Sequence, residues 1–74
     1  WQKVINVEFE DLVERCSEGR HSLLDCYGAT NIAEFFAVSS ETFFERPRAL
    51  RIRHPALYEI LQDYYRQDPA SRIG

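Results

Sequence analysis

Glu34 stands three residues after Asn31 and directly ahead of Phe35 and Phe36, and Tyr27 stands seven residues before it. The run Tyr27-Gly28-Ala29-Thr30-Asn31-Ile32-Ala33-Glu34-Phe35-Phe36-Ala37-Val38 reads as a tight turn that opens a helix. A carboxylate in the first turn of a helix has two chemical uses. It can cap: with Asn31 as N-cap, Glu34 falls at N3, the capping-box position, with Asn in place of the usual Ser or Thr. It can also bind metal, because a carboxylate is a common third ligand to catalytic zinc beside two histidines, the fourth position being left to water. Tyr27 divides the same way. It is either a core tyrosine with its hydroxyl tied off or a donor to a developing oxyanion. Residue type and spacing alone favour the cap and the core tyrosine.

The other reactive residues build little. His21 and His54 are the only histidines, and neither lies in an HExxH, which would set two histidines one helical turn apart with a glutamate base between them. Both read as surface or capping residues. Ser39-Ser40 has no GxSxG around it, so nucleophilic serine chemistry is unsupported. Arg46, Arg48, Arg51 and Arg53 form a basic run around Leu50 and Ile52 that reads as a solvated face or a short helix. The net charge of −3 leaves no footprint for nucleic acid. Cys16 and Cys26 are not part of a CxxC, which argues against a zinc knuckle. One pair is no disulfide framework. The two are read as reduced, buried or partly buried thiols, with a single bridge as the alternative. No apolar run approaches the roughly 20 residues of a membrane span. No signal-peptide pattern is present either, so no membrane partner and a cytoplasmic location are expected.

The elements that must position these residues are helical. A chain of 74 residues is one small domain or a piece of a larger one. It hides only roughly 60% of its unfolded surface, and its 45% hydrophobic content is enough for a core. The expected fold is all-α, with three main helices over about 1–18, 32–45 and 55–67. In the first, Trp1, Ile5, Phe9, Leu12 and Cys16 recur at helical spacing, with Val4 and Val13 widening the stripe. Gly19 stops it. Leu23 and Leu24 anchor the loop that follows, and Gly28 suits its turn. In the second, Ile32, Phe36 and Phe43 share a line with Ser39, and Phe35, Val38, Ala33, Ala37 and Phe44 nearly encircle the helix, so it is expected to be the most buried. Glu34 and Glu41 stand two turns apart on one flank of it and need partners or a cation. Pro47 ends it. Pro55 is N1 of the third, with His54 at the cap position. Residues 70–74 read as a frayed polar tail. The chain starts on Trp1 inside a running helix without an initiator Met, which reads as a fragment whose upstream sequence is missing.

Taken together, the Tyr27 to Val38 run, Glu41-Thr42-Phe43-Phe44-Glu45-Arg46-Pro47, Pro55-Ala56-Leu57-Tyr58 and Tyr64-Tyr65-Arg66-Gln67-Asp68-Pro69 resemble the C-terminal part of the Mlc titration factor A family. These are bacterial zinc metallopeptidases related in their catalytic core to anthrax lethal factor. The resemblance implies that residues 1–74 are a helical fragment of a zincin-type domain, lacking the HExxH helix. It implies peptide-bond hydrolysis by zinc-activated water in the intact parent, with an aminopeptidase as one form. Glu34 matches the family's third zinc ligand. Tyr27 matches the tyrosine that faces the metal. Zinc is implied for the parent and none for the fragment alone, which is expected to be inactive. The implied partners are the missing N-terminal part, a peptide substrate and, for some members, a transcriptional repressor. Self-association of the piece is expected to cover an exposed face of the second helix. The chain departs from the family pattern in having no HExxH, and in Ile32 where proline is common. The rival reading is a non-enzymatic helical interaction module that binds a protein through Phe35, Phe44 or its tyrosines, with Glu34 only a cap.

Overall fold

A computed structural model describes residues 1–72 as helices α1 (Gln2–Ser17), α2 (Ile32–Glu45), α3 (Pro47–Arg53), α4 (Pro55–Tyr65) and α5 (Pro69–Arg72), with a 3-10 turn at Cys26–Ala29. No strand occurs among the described residues, as the all-α reading expects. The ends of α1 follow from sequence. Gly19 takes a left-handed φ of 70°. Its amide donates to the Cys16 carbonyl and that of Arg20 to the Arg15 carbonyl, at 3.2 and 2.9 Å. That is the paired bond pattern by which glycine closes a helix and satisfies its last carbonyls.

Two proline joints bend the second half of the chain. Arg46 precedes Pro47 and His54 precedes Pro55, and the two adopt nearly the same backbone angles, φ −134°, ψ 59° and φ −135°, ψ 64°. The proline ring pushes its predecessor out of the helical region. Each proline then serves as first residue of the next helix, where its missing amide costs nothing. So Pro47 both ends α2 and begins α3, and the arginine run is helical. At the far end Arg66 turns left-handed at φ 56°, which stops α4 at Tyr65, short of the expected residue 67.

The core gathers Ile5 and Leu12 of α1, Leu24 of the loop, Phe35 and Phe43 of α2, Leu50 of α3, and Leu57, Tyr58 and Leu61 of α4. Phe43 is its aromatic centre, with ring centroids 5.0 Å from Tyr58 and 5.8 Å from Tyr65. Ser39 is fully buried with its Oγ unpartnered, a small residue tolerated where helices approach closely. The expectation that α2 is the most buried helix fails. It buries Phe35, Ser39 and Phe43, whereas Ile32, Ala33, Ala37 and Phe44 are exposed, and α4 buries four residues. An apolar composition around the whole helix did not mean cover around the whole helix.

The tail expectation also needs correction. Residues 69–72 are helical and Ala70 is buried; residues 73–74 lie outside the described residues. Tyr58 holds this end down. Its hydroxyl donates to Asp68 Oδ1 and accepts from the Ala70 amide at 3.0 Å. Ser71 Oγ donates to Asp68 Oδ2 at 2.7 Å. The Tyr58 hydrogen bond, then that of Ser71, holds the Asp68 carboxyl below the usual carboxylate range. Burial, then the hydrogen bond to Asp68, pushes the Tyr58 hydroxyl above its usual value.

The first joint is tighter still. Gly28 lies in the 3-10 turn, where a Cβ would meet Leu12 Cδ2 of α1 and Val38 Cβ of α2, each at 3.2 Å. Gly28 stands in a turn, as expected, and glycine is needed there for close approach, not for a positive φ. A single bridge, Cys16–Cys26, joins the last turn of α1 to the first residue of the turn, with Cα atoms 5.8 Å apart. The reduced-thiol reading is therefore overturned. The close packing around Gly28 brings the two cysteines within bridging distance.

Two outcomes follow. Gly28→Ala inserts a methyl group between two packed side chains and should cost about 1–3 kcal/mol in urea unfolding; an unchanged midpoint would contradict the close approach. The lowered Asp68 pKa adds stability that is present above the ordinary carboxylate value and lost as pH falls through the folded one. The raised Tyr58 pKa adds stability present below the ordinary tyrosine value and lost as pH rises through the folded one. Near-ultraviolet circular dichroism should thus show α5 docking flat near neutrality and weakening at both extremes, with both limbs reduced in Tyr58→Phe. Superimposable profiles would refute the coupling.

Candidate active site

The site is built on the turn that joins α1 to α2. Asp25 starts the turn: its Oδ1 accepts from the Tyr27 amide at 2.8 Å and its carbonyl from the Gly28 amide at 2.9 Å. The Thr30 amide donates to the Tyr27 carbonyl at 3.2 Å. Tyr27 is thus clamped on its amide and on its carbonyl, while its side chain is 62% exposed. The core-tyrosine reading does not hold. Its hydroxyl has no hydrogen-bond partner among the described residues.

Asn31 is the N-cap of α2, as expected. It is extended, at φ −165° and ψ 174°, and its Oδ1 accepts from the Glu34 amide at 2.9 Å. The reciprocal half of a capping box, a Glu34 carboxylate on the Asn31 amide, is not formed. The residue is half-buried, and its carboxylate has neither hydrogen bond nor ion pair among the described residues. So the backbone of Glu34 is pinned by the cap and its side chain is unspent. Glu41, its neighbour two turns on, is exposed to water.

The remaining residues that carry chemistry lie elsewhere. His21 is exposed. His54 sits at the cap position of α4 but makes no capping bond; its Nδ1 lies 2.9 Å from Glu8 Oε1 and ties α1 to the α3–α4 joint. Periodicity carries no signal for a pair so distant in sequence. Ser40 Oγ accepts from the Tyr65 hydroxyl at 2.8 Å. Phe35 is fully buried, so it offers no surface to a partner, whereas Phe44 is 46% exposed and Tyr64 is exposed beside Trp1. A groove of about 1030 Å³ lies between the start of α1 and α4–α5, with Trp1, Ile60 and Asp68 in its walls. Neither Tyr27 nor Glu34 lines it. Among the described residues no three of His, Cys, Asp and Glu are grouped to hold a metal ion. No described helix is long and apolar enough to cross a membrane.

Comparison with known proteins bears on these residues. The family model described as glucose-regulated metallo-peptidase M90 matches residues 1–66. An uncharacterised protein of Synechocystis sp. is 41% identical over 69 residues, 93% of this chain and 25% of the relative. Proteins called Mlc titration factor A from Yersinia pestis and Yersinia pseudotuberculosis are 50% identical over 50 residues, 68% of this chain and 18% of each relative. The chain thus spans a quarter or less of the length of these curated relatives. No solved structure matches it. With an all-helical chain, a clamped Tyr27 turn and a pinned Glu34, the match over residues 1–66 shows that this chain belongs to the glucose-regulated metallo-peptidase M90 family, whose members include the Mlc titration factor A proteins.

Proposed function

We propose that this chain supplies the third zinc ligand, Glu34, and an oxyanion donor, Tyr27, to a zinc metallopeptidase that cleaves peptide bonds. The observation that carries the reading is the state of Glu34. Its amide is fixed by Asn31 at 2.9 Å, while the residue is half-buried and its carboxylate is engaged by nothing among the described residues. The cap fixes the backbone of Glu34 and leaves its carboxylate charged and uncommitted, which suits a ligand to a cation better than a cap.

The fit to zinc is partial. Glu34 is a suitable oxygen ligand, but one ligand is far short of the four that zinc takes. The two histidines and a base are therefore proposed to come from residues outside this chain, in keeping with the quarter or less of each relative that it spans. Zinc, when bound, acidifies a coordinated water and polarises a carbonyl. This chain's residues have two tasks. Glu34 holds its carboxylate at the start of α2, with the Asn31 cap fixing the direction of the helix. Tyr27 donates its hydroxyl to the oxygen that gains charge as the peptide carbonyl is attacked. The amide and carbonyl clamps on Tyr27 fix the backbone from which that hydroxyl is presented. A cytoplasmic setting remains part of this proposal.

Glu34→Ala, in the protein that carries this chain, should lose bound zinc and peptidase turnover together. A variant that keeps both would remove the ligand assignment. Tyr27→Phe should keep zinc and lower kcat by roughly 10²–10³-fold, the usual loss for one oxyanion donor. An unchanged kcat would remove the role of the hydroxyl.

A further inference from the structure

The Cys16–Cys26 bridge has no part in the ligand set, yet Cys26 immediately precedes Tyr27. It ties the first residue of the 3-10 turn to the last turn of α1. The turn is also held by Asp25 on the Tyr27 and Gly28 amides, by the Tyr27 carbonyl on Thr30, and by the packing of Gly28 on Leu12 and Val38. Cys26 is exposed and Cys16 only half-buried, so the bridge can be reached from solvent. The bridged residues are ten apart in sequence, so the bridge closes a short loop that ends next to Tyr27 and is anchored in the core by Leu24.

We propose that the Cys16–Cys26 disulfide is a positioning element for Tyr27 that a dithiol reductant can open, so that the redox state of the bridge sets how well the tyrosine hydroxyl is placed. The proposal rests on the oxyanion-donor reading of Tyr27. In the step itself, one thiolate of the reductant attacks the Cys26 sulfur, forming a mixed disulfide as Cys16 leaves as thiolate and takes up a proton. The second thiolate of the reductant then attacks its own half of the mixed disulfide and releases Cys26. Two electrons and two protons pass to the chain, and the reductant leaves as its own disulfide. A reducing compartment favours the open form and an oxidising one the bridged form.

The test uses the protein that carries this chain. Alkylation followed by mass analysis, before and after a dithiol, should count two new thiols at Cys16 and Cys26; no bridge in the oxidised protein would overturn the proposal. Amide exchange at Gly28 and Thr30 should quicken on reduction while the Phe43 amide stays protected. Equal exchange in both states would overturn it, whether or not the protein is a peptidase. For catalysis, Cys16→Ser/Cys26→Ser should lower kcat about 10- to 100-fold with KM and zinc content unchanged, the scale of loss that a small misplacement causes. On a Tyr27→Phe background the same pair of changes should cost no more. An equal further loss there would mean that the bridge is merely structural, and an unchanged kcat would mean that it positions nothing. If the serine pair does not fold, Cys16→Ala/Cys26→Ala gives the same comparison. Absence of peptidase activity in every form would count against the peptidase reading, leaving the exchange arm to decide the bridge.

Discussion

The arrangement depends on one close approach: the backbone of Gly28 between Leu12 of α1 and Val38 of α2. A hydrogen in place of Cβ lets the 3-10 turn lie against both helices at once. Because it does, Cys26 comes within bridging range of Cys16, and Asp25 and Asn31 fall on either side as caps for the turn and for α2. The approach therefore fixes the angle at which α2 leaves α1. It also fixes where Tyr27 and Glu34 stand, since one lies in the turn and the other in the first turn of α2. A chain this small has little core to absorb an error at such a joint.

The other half of the chain backs this joint. The two proline joints fold α3 and α4 against α2 with nearly equal backbone angles. Phe43, the aromatic centre, then meets Tyr58 and Tyr65. The hydroxyls of these two tyrosines are not left unpaired: that of Tyr58 ties down α5 and that of Tyr65 reaches Ser40. Glu8 and His54 close the arrangement from α1. The exposed apolar side of α2, with Ile32, Ala37 and Phe44, is what remains when one layer of helices covers a helix that is apolar nearly all round.

Features with local causes were legible in the sequence. Gly19 ending α1, Asn31 capping α2 and the prolines opening α3 and α4 each act through the backbone of one or two residues, and each is where residue type puts it. The helix pattern was legible for the same reason. Features with distant causes were not. The Cys16–Cys26 bridge depends on how closely a turn packs, the Glu8–His54 pair on how α1 crosses the α3–α4 joint, and the docking of residues 69–72 on a tyrosine ten residues earlier. At the site, spacing offered Glu34 as a cap and Tyr27 as a core residue. The fold leaves the carboxylate unspent and the tyrosine exposed, because the capping bond comes from Asn31 and is not returned by Glu34, and Tyr27 lies at the surface. Only the family pattern, read residue by residue, assigned chemistry to those two positions in advance.

The same geometry bears on regulation. A ligand anchored in a helix is harder to disturb than a donor anchored in a turn, so a change in the bridge should reach Tyr27 before it reaches Glu34. The central claim, that the carboxylate of Glu34 is kept unspent for a metal, is tested most directly by a crystal structure of the zinc-loaded protein that carries this chain. The account predicts a Glu34 carboxylate oxygen about 2.0–2.2 Å from zinc, with the Asn31 cap on the Glu34 amide intact. Zinc held entirely by other residues, with Glu34 folded back on the Asn31 amide, would contradict it.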